Sequence, residues 1–132
     1  MQVEQISKFV VEALDEVKAR DVVVLDTRKL TSMFDYMIVA SAESTRQTKA
    51  LARNVEEKIK TAGGKVLSTE GEQTGEWVLV DLGSVIVHIM QPAIRDYYNL
   101  EQLWGGEAQR KVSSLRRGGE LRRTEAGGPG FR

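Results

Sequence analysis

The sequence contains no cysteine and a single histidine among its 132 residues. The lack of cysteine excludes disulfide bonds and thiolate metal sites. A histidine-based metal site is disfavoured too, because one imidazole with scattered carboxylates supplies too few ligands. No apolar run reaches the roughly 18 residues of a transmembrane helix, and the amino terminus has no charged-then-apolar signal pattern. We therefore expect a cytoplasmic protein with no bound metal and no membrane partner.

Motifs for phosphate binding and for nucleophilic catalysis are also missing. The chain has neither a Walker loop nor a GxGxxG after a predicted strand, and no serine lies in a GxSxG elbow. No cofactor is expected from this sequence, and it provides no catalytic residue to name.

Charge is divided unevenly along the chain. Residues 105–132 hold six arginines and one lysine against three glutamates, a balance of +4, so residues 1–104 carry −4. An acidic body argues against a nucleic-acid-binding face on the folded part. The glycine pairs after Trp104 predict a globular domain over residues 1–104 and a flexible Gly/Arg-rich tail over 105–132. Arginine pairs at 116–117 and 122–123 are open to two interpretations, contact with RNA phosphate or a solvated tail without a role.

The remaining pattern predicts an α/β domain. Apolar residues recur at helical spacing over residues 2–19 and again behind a capping box at Ser44 and Gln47, in which each residue is expected to bond the other. Helical spacing returns after Pro92, with a fresh cap at Asn99. Short apolar runs predict strands at 22–26, 36–40, 65–67, 77–81 and 85–90. This order favours a mixed five-stranded sheet flanked by helices.

The last two predicted strands form the most distinctive stretch. Trp77–Asp81 and Val85–Met90 are separated by three residues, in which Gly83 can supply the positive φ of a tight hairpin. Both strands are apolar at nearly every position, so both faces must be covered. Helices of this chain can cover one face, and either more helix or a partner covers the other.

Individual residues of this region each allow a structural and a functional interpretation. A lone histidine in mid-strand, as at His88, is more often structural or interfacial than catalytic. Trp77 opens its strand beside a polar loop, where an aromatic side chain serves equally well in a core or as an interface anchor. Asp26, Asp35 and Asp81 lie at the ends of predicted strands, where carboxylates bind divalent cations less often than they form turns.

These residues resemble the signature of a known family. The WxxxDxG arrangement at Trp77–Gly83 followed by VIVHxM at Val85–Met90 is similar to that of ribosomal silencing factor S, the iojap family. Further matching residues are Asp21–Asp26, Asp35–Ile38, Ser44–Arg46, Glu70–Gly71, Arg95, Tyr98, Leu100, Glu101, Leu103 and Trp104. The resemblance covers about residues 1–104.

The resemblance implies a nucleotidyltransferase-like fold without the catalytic motif. Active enzymes of that fold carry a paired-carboxylate motif on a strand, whereas this strand reads Asp35-Tyr36-Met37 and lacks the second carboxylate. It further implies a translational repressor that docks on large-subunit ribosomal protein fourteen, blocks joining of the ribosomal subunits and is linked to large-subunit biogenesis.

For the partner-binding surface we select residues of the hairpin and its surroundings. Trp77 would be the anchor, and the pairing of the strands must place His88 and Met90 beside it. A homodimer through a sheet edge is also plausible. Two alternatives stay open: a divergent metal-dependent nucleotidyltransferase using Asp35, and an RNA-binding module acting through the tail. The complete predicted site is Glu70, Trp77, Asp81, His88, Met90 and Tyr98.

Overall fold

The computed structural model describes residues 1–104 and 109–111. Over residues 1–104 the helices and strands follow the predicted order. The helices are α1 (Val3–Glu16), α2 (Thr45–Thr61), α3 (Pro92–Tyr98) and α4 (Leu100–Trp104). The strands are β1 (Arg20–Asp26), β2 (Tyr36–Ser41), β3 (Ser68–Glu70), β4 (Trp77–Asp81), β5 (Val85–Met90) and β6 (Gln109–Lys111). None of the helices in these residues is long and apolar enough to cross a membrane.

The strands form one mixed sheet in the order β3-β4-β5-β2-β1-β6. Strands β2 and β5 run parallel, and the other neighbours are antiparallel. The prediction of a mixed sheet flanked by helices is confirmed, with its five strands side by side. Strand β6 adds a sixth and comes from the segment predicted to be a flexible tail. The rest of that tail prediction, including the arginine pairs, lies outside the described residues.

One face of the sheet packs against α1 and α2. Apolar side chains of α1, α2 and the strands meet there in a single cluster, and most are fully buried, including Leu14, Leu51, Val80 and Ile89. Most apolar residues of the stripes predicted for the two helices point into this cluster. Burial of this extent makes the α1–α2 face the main source of stability.

Local predictions failed where a tertiary contact replaced the expected one. The third strand was expected at 65–67 but lies at Ser68–Glu70, because an edge strand pairs through its backbone and needs no apolar run. The Ser44 hydroxyl accepts the Gln47 N–H as expected, at 3.1 Å. The Gln47 side chain does not return to Ser44. Its side-chain oxygen instead accepts the N–H of Glu43, one residue before the predicted donor, at 2.7 Å. Its amide nitrogen donates to the carbonyls of Val17 and Lys18, which ties α2 to the end of α1.

The hairpin of β4 and β5 forms as predicted. Gly83 adopts φ +87°, and its N–H donates to the Asp81 carboxylate at 2.8 Å. Trp77 lies opposite Met90 in the register. Directly opposed residues of an antiparallel pair project to the same face. The required register is therefore confirmed, and Trp77, His88 and Met90 share one face of the sheet.

Candidate partner-binding site

The second face of the sheet, opposite α1 and α2, is only partly covered. A small buried cluster of Val23, Leu25, Met37, Val39 and Met90 lies there. The short helices α3 and α4 cover it through Ile94, Leu100 and Trp104, and Trp104 packs on Phe34 with ring centroids 5.4 Å apart. These two helices do not extend over β4 and β3, whose side chains on this face are half-buried or exposed. We call the uncovered part, with the aromatic side chains at its border, the β4–β5 face; its residues are Glu70, Trp77, Leu79, Asp81, Ile86 and Tyr98.

The centre of this face is a hydrogen bond between two rings. The Trp77 indole N–H donates to His88 Nδ1 at 2.9 Å. An indole nitrogen can only donate, so Nδ1 must be unprotonated. Burial lowers the pKa of His88 from 6.5 to about 4, because the charged imidazolium would lose its hydration. At neutral pH His88 is therefore a neutral acceptor that orients the indole ring.

Aromatic side chains continue from Trp77 to the surface. The Trp77 and Tyr98 rings lie 4.8 Å apart between centroids, and Tyr97 meets Tyr98 edge-on at 4.9 Å. Trp77 is half-buried, whereas Tyr98 is 50% and Tyr97 81% exposed. The hairpin and α3 thus present a row of three aromatic rings. The inner ring, Trp77, is fixed by its hydrogen bond to His88, and the outer rings, Tyr98 and Tyr97, are exposed to solvent.

The predicted site residues occupy two depths. Met90 is fully buried and His88 is 6% exposed, so both contact Trp77 from the neighbouring strand without reaching solvent. Glu70 is exposed, and Asp81 is half-buried with one carboxylate oxygen engaged by the Gly83 N–H. The structure therefore brings all six residues onto one side of the molecule but leaves four of them, Glu70, Trp77, Asp81 and Tyr98, reachable from solvent.

Two apolar neighbours belong to the same surface and were not selected from the sequence. Leu79 lies between Glu70 and His88 in adjacent strands, and Ile86 lies opposite Asp81. Both are half-buried. Alternation along each strand was the available signal: it places Leu79 on the face of Trp77 and Ile86 on the face of His88.

Hydrogen bonds fix the loop before Trp77 to α2 and to the residue that follows β5. The Gly75 carbonyl accepts the Thr48 hydroxyl at 2.6 Å and the Gln91 side-chain amide at 3.1 Å. Gly71, at φ +89°, lies so close to the Trp77 carbonyl that a Cβ would meet its oxygen at 2.0 Å. Only glycine fits such an approach. This packing sets the point at which β4 begins and therefore the position of Trp77.

A buried ion pair joins α3, which carries both tyrosines, to α4. Arg95 on α3 donates to both carboxylate oxygens of Glu101 on α4, at 3.0 and 2.7 Å, and to the Ser41 hydroxyl at 2.8 Å. The two charged side chains are only 8% and 14% exposed. Between the helices, Asn99 turns the chain with φ +49°. A fresh cap was predicted at Asn99; a separate helix does follow it, but Asn99 is the left-handed C-cap of α3, and its side-chain amide donates to the Gln102 side chain at 2.7 Å. The ion pair has no local signal, because its partners meet only after the chain turns.

Two of the three aspartates at strand ends, Asp26 and Asp81, are engaged locally. Arg28 binds Asp26 at 2.6 Å and holds the pKa of that carboxyl at about 2. Asp81 caps the hairpin turn. Within the described part of the chain, no three histidine, aspartate or glutamate side chains lie close enough together to hold a metal ion.

Comparison with known proteins agrees with this architecture. A solved crystal structure from Chromobacterium violaceum superimposes with a TM-score of 0.78 at 54% identity, covering 79% of this chain and 87% of the other. The two proteins therefore share the same mixed α/β fold. The family described as ribosomal silencing factor during starvation matches residues 1–127, so this chain belongs to the ribosomal silencing factor family.

Individual relatives extend across bacteria and organelles. A ribosomal silencing factor of Chromobacterium violaceum is 54% identical over 107 residues, covering 81% of this chain and 88% of its own length. Mouse mitochondrial assembly of ribosomal large subunit protein 1 is 31% identical over 73% of this chain and 43% of its own length. The maize chloroplast protein Iojap is 34% identical over 71% of this chain and 41% of its own length. The resemblance inferred from the hairpin is thereby confirmed.

Proposed function

We propose that this protein binds the large ribosomal subunit through ribosomal protein fourteen, using the β4–β5 face, and thereby blocks joining of the small subunit. It acts without catalysis, in the cytoplasm, as a translational repressor with a role in large-subunit biogenesis. The mechanism is occlusion: a bound domain of this size covers one contact between subunits, and its affinity sets the fraction of silenced ribosomes.

The observation that carries the proposal is the row of Trp77, Tyr98 and Tyr97, with Trp77 fixed by His88, on a sheet face that no helix covers. A tryptophan fixed by a buried acceptor loses little side-chain entropy on binding, which favours its use as an anchor. Half-buried Leu79 and Ile86 lie beside it, so the surface has the apolar centre typical of an interface. The relatives named for ribosomal silencing and for large-subunit assembly support a ribosomal partner.

Charge around this centre favours a basic partner. Exposed Glu70 and half-buried Asp81 border the apolar residues, and Glu72 and Glu76 are exposed in the loop before Trp77. Ribosomal proteins are typically basic, and complementary charge speeds encounter. In this arrangement the acidic rim sets the association rate while the aromatic centre sets the lifetime of the complex.

Co-sedimentation with purified large subunits tests the function. We expect the wild-type protein to sediment with free large subunits and to reduce the joined ribosomes formed when small subunits are added. Trp77→Ala should weaken binding by about 2 kcal/mol, roughly thirtyfold in Kd. The matched control is Trp104→Ala, which removes a half-buried tryptophan from the same sheet face but away from the proposed surface. Wild-type protein that never binds large subunits would refute the function, and a folded Trp77→Ala that binds normally would remove Trp77 from the interface.

The acidic rim makes a second, kinetic prediction. Glu70→Lys should slow association severalfold and flatten its salt dependence, while the dissociation rate changes little. Glu57→Lys, an equal charge change at an exposed position on α2, serves as the control. Equal slowing by both variants in stopped-flow measurements would show a general charge effect and contradict a rim at Glu70.

A further inference from the structure

Gln91 is the residue at which the hairpin meets α3. Its backbone N–H donates to the Glu76 carbonyl at 3.0 Å, one step beyond the last residue pair of β4 and β5. Its own carbonyl accepts the Arg95 N–H at 3.0 Å and so begins α3. The main chain of Gln91 therefore extends the hairpin and starts the helix that carries both tyrosines.

The side chain of Gln91 adds a link to α2. Its amide nitrogen donates to the Gly75 carbonyl at 3.1 Å and to the hydroxyl of Thr45, in the first turn of α2, at 3.2 Å. A side-chain amide nitrogen carries two hydrogens, so both are engaged. The side chain is half-buried, and water competes less for such hydrogen bonds than it does at an exposed position.

The loop that Gln91 bonds is residues 71–76, which rest on α2. Gly75 is buried at φ +73°, and a Cβ there would collide with the Thr45 side chain. The Thr48 hydroxyl donates to the same Gly75 carbonyl at 2.6 Å. Thr48 therefore joins the loop to α2, whereas Gln91 joins both of them to the start of α3.

The first two rings of the aromatic row lie on either side of this junction. Trp77 follows the loop directly and Tyr98 lies on α3, with 4.8 Å between the two ring centroids. His88 fixes the direction of the indole ring, because it accepts the indole N–H. The position of the Trp77 backbone relative to α3 is a separate requirement, and Gln91 bonds to the segments on both sides.

We infer that Gln91 is a positioning residue of the binding surface: its side-chain amide joins the loop before Trp77 to α2 and α3, and so keeps Trp77 and Tyr98 at the spacing that the partner binds. A surface arranged in advance loses less entropy when the partner binds. The consequence for binding rests on the proposed function, whereas the consequence for the free protein does not. The backbone hydrogen bonds of Gln91 do not involve its side chain, so substitution tests the amide alone.

Gln91→Met tests the inference, because methionine is of similar length and has no hydrogen-bond donor in its side chain. The matched control is Gln102→Met, the same chemical change on α4, where the glutamine oxygen accepts the Asn99 side-chain amide at 2.7 Å. In the free proteins, NMR measures the Trp77 indole N–H shift and the nuclear Overhauser effects between the Trp77 and Tyr98 rings. We expect Gln91→Met to change the indole shift and weaken the ring contacts, and Gln102→Met to leave both as in the wild type.

Co-sedimentation with large subunits measures the effect on binding. Gln91→Met should weaken binding about fivefold, the effect of roughly one hydrogen bond, and Gln102→Met by less than about twofold. In a Trp77→Ala background, Gln91→Met should add less than about twofold, because residues that act through one contact are not additive.

The two measurements separate the possible failures. An unchanged indole shift and unchanged ring contacts in folded Gln91→Met protein would show that the amide does not position Trp77. If the wild type binds large subunits, normal binding of Gln91→Met, or a loss that persists in the Trp77→Ala background, would overturn a role through Trp77. A wild type that does not bind refutes the proposed function, and the NMR result alone then decides on the positioning. If Gln91→Met does not fold, Gln91→Asn, whose amide is one methylene shorter, is put to the same measurements.

Discussion

The two faces of the sheet are built from the same strands but covered by very different helices. The first face packs against α1 and α2, which have 14 and 17 residues. The second face is covered by α3 and α4, with 7 and 5 residues. The long helices bury most inward side chains of the strands beneath them, whereas the short ones leave Leu79 and Ile86 half-buried and Tyr98 half-exposed.

This difference separates stability from recognition. An apolar side chain that is already buried contributes to folding and has no exposed apolar surface that a partner could bury. A half-buried one retains surface that a partner can cover. The first face therefore stabilises the domain, and the second keeps a held aromatic centre available for binding. Mutations on the two faces should accordingly affect different measurements.

The largest expected effect is on the first face. Leu51 on α2 is fully buried against the sheet. Leu51→Ala should lower the free energy of unfolding by about 4 kcal/mol, because it removes apolar contact and leaves a cavity. Leu103, 73% exposed on α4, is the control, and Leu103→Ala should change stability by no more than about 0.5 kcal/mol. Urea unfolding measures both, and equal losses would contradict the proposed division between the faces.

The next effect concerns the cover of the second face. Glu101→Ala leaves the buried Arg95 guanidinium without its carboxylate and should cost about 3 kcal/mol. The Arg20–Glu43 pair provides the comparison, since its side chains are 61% and 57% exposed at 2.9 Å. Glu43→Ala should cost no more than about 0.5 kcal/mol. Thermal unfolding of the two variants measures the difference, and a Glu101→Ala protein as stable as Glu43→Ala would show that α3 and α4 need no ion pair.

The smallest effect is a pH dependence. In the unfolded chain His88 takes up a proton near its ordinary pKa of 6.5, but in the folded protein only near about 4. The contribution of His88 to stability is therefore complete above the unfolded pKa and is lost as the pH falls towards 4. Between about pH 7.5 and about pH 5.5 the wild type should lose about 1 kcal/mol more than His88→Gln, which cannot take up the proton. Equal losses in urea unfolding at the two pH values would contradict a buried neutral His88.

Much of the fold could be predicted from the sequence because its signals are local. The stripe of α1, the apolar runs of β1, β2, β4 and β5, and Gly83 in the hairpin each report on a single element. Predictions failed where the deciding contact was remote. β3 is an edge strand held by its backbone, and the Gln47 side chain bonds to Val17 and Lys18 at the end of α1.

The candidate site was predictable in part. Trp77, His88 and Met90 share a face as required, because alternation along two strands and a short turn leave few registers open. Their depths could not be predicted, since whether Trp77 or Met90 reaches solvent depends on how far α3 and α4 extend over the sheet. Four of the six selected side chains are accessible, and Leu79 and Ile86 complete the surface.

By itself the sequence determined the helices and the strands β1, β2, β4 and β5, where the hairpin turns, and which family motif the hairpin carries. Tertiary structure alone decided the burial of His88 and Met90, the pairing of Arg95 with Glu101, and the covering of β1 by Gln109–Lys111. The physical reason is the separation along the chain between the residues that interact. Helical and strand periodicities arise from neighbouring residues, whereas depth, ion pairing and strand pairing depend on residues that meet only after the chain has closed its loops.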